Sequence, residues 1–368
     1  MNAFSDLPLL PSLQQTLVEK SLVTPTEIQA RVIPELLAGR SIVGVSETGS
    51  GKTLAYALPV LHALKSLENA GDAVKESGRP RAVVVVPSRD LGEQVTRVFK
   101  LFTHTTRLRV RSILGGTKLD VAKENVSGPF EVLVATPGRM LKLLERGLVN
   151  LSDVRTLIYD EADQMLDQGF LPDAKRVVGA VPAACQLALF SATVSPHVQS
   201  VIAALFAGVE IVRSERSHKV VRSLSTDNRQ VIDGQRVPLL NRVLREKTAG
   251  VTLIFANTRE QCDAVAKEVR TLGHVCAVYR GEMDKVERRK NLKAFRAGET
   301  RIMISTDLAS RGLDIADVDR VINYHLPREV GPYLHRVGRT ARAGKTGTVV
   351  NFVTERDAPL MKQVARLS

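Results

Sequence analysis

Two short apolar runs, each delivered into a glycine-rich or acidic turn, constrain this chain more than anything else in it. Ser41 to Val45 leads into Ser46-Glu47-Thr48-Gly49-Ser50-Gly51-Lys52-Thr53, and Thr156-Leu157-Ile158-Tyr159 leads into Asp160-Glu161-Ala162-Asp163. Apolar runs of this length, bounded by turn signals, read as buried strands. The first turn is a phosphate-binding loop between a strand and a helix. The second places carboxylates at the exposed C-terminal end of its strand. In this order the two predict a nucleoside-triphosphate site.

The same alternation fills the rest of the chain. First-half strands are expected at Ser41–Val45, Ala82–Val86, Val110–Leu114, Val132–Ala135, Leu157–Asp160 and Leu187–Phe190. Helical segments such as Thr53–Leu67, Leu91–Phe102, Gly138–Arg146 and Pro196–Leu205 separate them. This predicts an α/β fold with a parallel sheet covered on both faces. A second series follows, with strands at Leu253–Phe255, Val275–Tyr279, Ile302–Ser305, Val321–Tyr324 and Val349–Phe352. Its helices are expected at Glu260–Leu272, Lys285–Ala297 and Gly331–Arg342. The polar, weakly periodic stretch between the series contains the linker. The expected organisation is a first domain over 1–212, a linker over 213–235 and a second domain over 236–368.

A net charge of +13 points to a polyanionic partner. The charge is uneven: residues 1–210 carry about +1 and residues 211–368 about +12, so the second half is the expected electrostatic docking face. With 4% aromatic residues and no Trp, wide base-stacking platforms are not expected. Cys185, Cys262 and Cys276 show no metal spacing and read as reduced thiols, which fits a cytoplasmic protein. The N-terminus lacks a signal-peptide design, and no apolar run approaches the ~20 residues that span a bilayer.

The residues of the two turns suit phosphate chemistry. Gly49 and Gly51 let the backbone approach oxygen atoms and point N–H groups inward. Lys52 is placed to reach the outer phosphates. Thr53 opens a helix whose N-terminus favours anions, and its hydroxyl can hold Mg²⁺. Asp160 would bind Mg²⁺ directly or through water, and Glu161 would position and activate the attacking water. ATP and Mg²⁺ are the cofactors this implies.

From about Phe4 to Val353 the chain resembles the core of a DEAD-box RNA helicase. Beyond the tetrapeptide at Asp160, it has the family's adenine-reading segment in Thr24-Pro25-Thr26-Glu27-Ile28-Gln29. The resemblance implies two tandem RecA-like domains. It implies that Gln29 reads the adenine edge, that Phe4 stacks on the base, and that Thr24 and the loop from Ser46 through Thr48 and Ser50 to Thr53 line the nucleotide. Ser191-Ala192-Thr193 resembles the motif that couples the carboxylates to domain closure; its hydroxyls would bond Asp163 or Asp160, or cap the next helix. His335-Arg336-Val337-Gly338-Arg339-Thr340-Ala341-Arg342 resembles the arginine-finger motif, with Arg339 and Arg342 on one helical face acting on the γ-phosphate and His335 in coupling. Asp314 would accept from the ribose or fix the finger arginines. ATP would then sit between the domains, and hydrolysis would need closure.

The same resemblance assigns an RNA track to Arg89, Gly116, Thr136, Gly138 and Arg139 in the first domain, and to Thr258, Arg259, Arg288 and Thr306 in the second. Backbone contacts predict little sequence preference, with 2′-hydroxyls selecting RNA over DNA. The expected protein is a monomeric ATP-dependent helicase that locally unwinds short duplexes, with an ATP-gated RNA clamp as the alternative. A DNA helicase or translocase competes. A P-loop kinase or transporter ATPase is more distant, since it explains neither finger arginine nor the duplicated half. The chain departs from the family at Ser21, usually Gly, and at Ser46, Glu47, Ser88, Asp90, Gly92 and Lys285. At Ala341, again usually Gly, a helical reading favours Ala by ~1 kcal/mol.

Overall fold

The computed structural model describes residues 3–47, 49–167, 169–194, 196–206, 208–214, 224–307, 318–341 and 346–366. The chain divides into two compact units, Met1–Ser217 and His218–Ser368. Both are parallel α/β sheets.

In the first unit the strands are β1 (Ile42–Val45), β2 (Ala82–Val85), β3 (Val110–Ile113), β4 (Val132–Ala135), β5 (Thr156–Tyr159), β6 (Gln186–Ser191) and β7 (Glu210–Arg213). They lie in the order β3-β4-β2-β5-β6-β1-β7, every pairing parallel. Successive residues point to opposite faces, as the pleat requires. Ile42, Val84, Val134 and Ile158 enter one hydrophobic cluster, while Val43, Val85, Leu133 and Leu157 enter the other. Two buried faces explain why these strands read as unbroken apolar runs. β5, β6 and β1 are adjacent, so the turns after them open side by side at the carboxyl edge, where α/β sheets place ligands. Close packing fixes at least one residue type here: a Cβ at Gly44 would stand 2.7 Å from the Phe190 ring.

The second unit has β8 (Leu224–Gln230), β9 (Val251–Phe255), β10 (Ala277–Tyr279), β11 (Ile302–Ser305), β12 (Val318–Asn323) and β13 (Gly347–Val353). Their order is β10-β11-β9-β12-β13-β8, again all parallel.

β7 is not among the expected strands, and the structure differs from the sequence expectation in three further places. The stretch expected as linker, 213–235, holds the last residue of β7 and all of β8, the latter in register with β13 from Leu224 to Gln230. β8 is a polar edge strand, LSTDNRQ, and carries no apolar signal. The helix expected over Gly331–Arg342 ends earlier. It spans Val330–Val337, is capped by Gly338, and leaves Arg339 in the turn beyond. Ala341 then has φ +54°, a left-handed conformation, so Ala is disfavoured there and the helix-propensity argument does not apply. Ser21 has the same φ, +54°. Both positions where the family usually has Gly are thus left-handed.

Among the described residues, no helix is long and apolar enough to cross a membrane.

Candidate functional site

The turns after β1, β5 and β6 build one polar cluster in the first unit. The helix Lys52–Asn69 starts on Gly51 at φ +91°, a backbone angle that glycine tolerates. Lys52 is 6% exposed, and its Nζ donates to the Ser46 carbonyl at 2.5 Å and the Glu47 carbonyl at 2.7 Å. Burial pushes its ammonium below the usual lysine range, opposed by the charges of Asp160, Glu161, Asp163 and Glu47. Asp160 faces the reciprocal problem. Burial raises its carboxyl, while Lys52 and a Tyr56 hydrogen bond hold it down.

The carboxylates are held individually. Asp160 accepts from the Tyr56 hydroxyl at 2.7 Å and from the Glu161 backbone N–H at 2.9 Å. Burial pushes the Tyr56 hydroxyl well above the usual tyrosine range, which keeps it a neutral donor. Glu161 sits at φ +52°, uncommon for a residue with a side chain, and its carboxylate accepts from the Gln164 amide. Strain at a turn of carboxylates is the kind found at functional sites. Asp163 accepts from both the backbone N–H and the hydroxyl of Thr193, each at 3.2 Å. Of the two partners open to the Ser191–Thr193 hydroxyls, Thr193 has Asp163. The Ser191 hydroxyl instead donates to the Thr193 carbonyl at 2.7 Å.

Gln29 lies at the start of the helix Glu27–Leu37 and is tied in two directions. Its Oε1 accepts from the Thr26 N–H at 2.8 Å and its Nε2 donates to the Gly51 carbonyl at 3.0 Å. The Thr26 hydroxyl adds a bond to the Ser50 carbonyl at 2.7 Å. Thr26 and Gln29 therefore clamp the turn at Ser50 and Gly51, and a Cβ at Gly51 would meet Gln29 Nε2 at 2.3 Å. Thr24 is exposed. Phe4 is 2% exposed and packs in the core, its N–H bonded to the Val23 carbonyl at 2.9 Å, so its ring presents no open face. Thr48 lies outside the described residues.

Oxygen donors suit Mg²⁺, which takes one or two carboxylates together with phosphates rather than an all-protein cage. Thr53 and Asp160 are such donors, and no cluster of three or more His, Cys, Asp or Glu that could hold a metal occurs among the described residues. Ser46 Oγ and Gln164 Oε1 are buried without a partner among the described residues. Both flank this cluster, which fits a polar ligand.

In the second unit Arg336 is the organiser. It is 1% exposed, grips Asp307 through two nitrogens at 2.5 and 2.7 Å, and donates to Asn257 Oδ1, Asn323 Oδ1 and the His325 carbonyl at 2.7, 3.1 and 2.5 Å. Its guanidinium also lies 5.0 Å from the Phe255 ring centroid. Asn323 and Asn351 pair across β12 and β13, and Asn351 reaches Asn228 on β8, each at 2.8 Å. Arg339 follows in the turn, 3% exposed, and His335 is buried on the helix. Arg342 and Asp314 lie outside the described residues. Sequence reasoning missed Tyr56, Gln164, Arg336 and Asp307 as site-forming. Tyr56 reads as a core aromatic, and Arg336 is hidden between motif positions already assigned.

The expected RNA residues follow strand ends except Arg288, which lies in the helix Lys285–Arg296. Arg89 bonds Glu93 at 2.9 Å and the Gly115 carbonyl at 3.4 Å. Arg139 donates to the Thr117 carbonyl, Gly116 has φ +77°, and Thr136 caps the helix that carries Gly138. Thr258 caps Arg259–Thr271, its Oγ accepting from the Gln261 N–H at 3.2 Å. Arg259 pairs with Glu282, Arg288 lies 4.5 Å over the Tyr279 ring, and Thr306 is buried just after β11.

Comparison with known proteins returns one family. Residues 26–201 match DEAD/DEAH box helicase, and residues 235–344 match the helicase conserved C-terminal domain. The chain is 34% identical over 364 residues to the ATP-dependent RNA helicase DeaD of Mycobacterium tuberculosis, covering 99% of this chain and 63% of that protein. It thus spans under two thirds of the length of that relative. It is 31% identical to the DEAD-box ATP-dependent RNA helicase CshA of Geobacillus kaustophilus, covering 100% of this chain and 76% of that protein. Among solved structures, S. cerevisiae Dbp5 bound to RNA and ADP BeF3 superposes with a TM-score of 0.85 at 27% identity, covering 100% of this chain and 93% of that one.

Proposed function

Because the chain belongs to the DEAD/DEAH box helicase family, with two RecA-like units, we propose that it is an RNA-stimulated ATPase that remodels short RNA duplexes. The observation that carries the reading is the cluster of Lys52 after β1, Asp160, Glu161 and Asp163 after β5, and Thr193 after β6, at the ends of three adjacent strands.

Lys52 exchanges two loop carbonyls for phosphate oxygens. Thr53 and Asp160 would hold Mg²⁺, which neutralises charge on the phosphates when bound. Glu161, aimed by Gln164, takes the proton of the attacking water. Gln29 holds the loop through Gly51 while its remaining N–H and lone pair read the adenine edge. Phe4 anchors that segment from the core, and its buried ring takes no part in the adenine site proposed here. Arg339, with Arg342, stabilises charge on the transferred phosphoryl group; such arginines are worth roughly 10³–10⁵ in kcat. Thr193 on Asp163 ties the carboxylates to the turn after β6, a route by which RNA binding reaches hydrolysis. Arg89, Arg139, Arg259 and Arg288 bind phosphates, each leaving a carbonyl, carboxylate or ring to do so.

The test measures ATP hydrolysis alone, with single-stranded RNA, with duplex RNA and with DNA of the same sequence, alongside strand displacement. RNA should stimulate and DNA should not. Equal stimulation by DNA points to a DNA enzyme, and stimulation by RNA without displacement points to a clamp.

A further inference from the structure

Tyr56 stands at a junction that the mechanism above leaves unused. Its helix opens on Lys52 and Thr53, and one turn later Tyr56 returns to the same side. The ring is fully buried, with Phe190 and Phe99 centroids 5.1 and 6.2 Å away. A buried tyrosine needs a partner for its hydroxyl. Here the partner is a carboxylate, Asp160 Oδ2, at 2.7 Å. The other oxygen of that carboxylate accepts from the Glu161 N–H at 2.9 Å. One donor on each oxygen fixes the plane of the group. The Thr53 side chain also interacts with this hydroxyl. A single phenol therefore adjoins both side chains assigned to Mg²⁺.

We infer that Tyr56 is a positioning residue whose hydroxyl holds the Asp160 carboxylate in the orientation that receives Mg²⁺ with the nucleotide. Packing does not require this hydroxyl. Phenylalanine would fill the same space and leave Asp160 Oδ2 without its donor. What the hydroxyl adds is direction, and a hydrogen bond to a charged group is worth more than one between neutral groups. The inference rests on the reading of Asp160 as the metal carboxylate.

The test is Tyr56→Phe, read by binding of a fluorescent ADP analogue across a Mg²⁺ titration and again in EDTA. The Mg²⁺ midpoint should rise about tenfold, with binding in EDTA unchanged. Phe190→Leu, which loosens the same packing without touching the hydroxyl, should lower the melting temperature and leave the midpoint in place. Asp160→Asn separates the two levels of the argument. If Asp160→Asn shifts the midpoint and Tyr56→Phe does not, Tyr56 has no positioning role. If neither shifts it, Asp160 is not the metal carboxylate and the inference falls with that reading. An equal shift in Phe190→Leu would make the effect one of packing and overturn the assignment to the hydroxyl.

Discussion

The two units each bury a cation at the carboxyl edge of a parallel sheet, and they hold it in different ways. Lys52 is bonded to two carbonyls of its own loop, both main-chain atoms of a turn. Arg336 is caged by side chains from several elements, namely Asp307, Asn257 and Asn323, plus the His325 carbonyl. A cation satisfied by its own loop can change partners when that loop meets a phosphate. A guanidinium gripped bidentately by a carboxylate and by fixed amides cannot, because leaving would strand several buried polar groups. The proposed function thus puts the exchangeable charge in the first unit and a scaffold in the second, with Arg339 as the arginine it assigns to the phosphoryl group.

The sharpest way to break this division is inside the second unit. Arg339→Ala should lower RNA-stimulated turnover by roughly 10³-fold. A wild-type rate would remove Arg339 from the finger role. Arg336→Lys should instead cost about 3 kcal/mol of stability in denaturant unfolding, since a point charge cannot replace the bidentate fork. Lys52→Met is the counterpart in the first unit. It should change stability by no more than about 1–2 kcal/mol, because relief of a desolvated ammonium offsets part of its lost attraction to Asp160. Nucleotide affinity should fall at least about tenfold. Comparable unfolding costs for the two variants would erase the distinction.

Much of this was legible in the residues. Strands whose two faces are both buried read as apolar runs, so β1 to β6 and β9 to β13 stood out to within three residues. The glycine loop, the carboxylate tetrapeptide and Thr193 follow β1, β5 and β6, the strand ends at which the sequence set them. β8 was hidden because an edge strand facing water has no apolar signal, and Ser225, Asp227 and Arg229 look like linker. The finger helix was drawn too long because Ala341 is a good helix former, and nothing local announces φ +54°. The bonds of Tyr56 and Gln164 to the carboxylates depend on tertiary packing, which spacing alone does not reveal.

Smaller effects sharpen the comparison further. Burial pushes His325 down to about 4, so the folded protein stays neutral there while the unfolded chain takes up a proton near 6.5. Stability should be level above about pH 6.5 and decline as pH falls towards 4. The side chain is only half-buried, so screening limits the loss to about 1–2 kcal/mol. His325→Gln should flatten this slope in a pH series of unfolding curves. Ser21→Gly and Ala341→Gly should each add about 1 kcal/mol by relieving a left-handed side-chain residue. A loss of stability in either would contradict the backbone conformation described.

The most direct test of the central claim, that the carboxylates after β5 hydrolyse a nucleotide gripped by the loop after β1, is Glu161→Gln. Steady-state ATP hydrolysis with saturating RNA should fall by about 10²-fold or more, while RNA binding in the presence of nucleotide persists. Turnover at the wild-type rate would show that Glu161 does not activate the water, and the account of this site would fail.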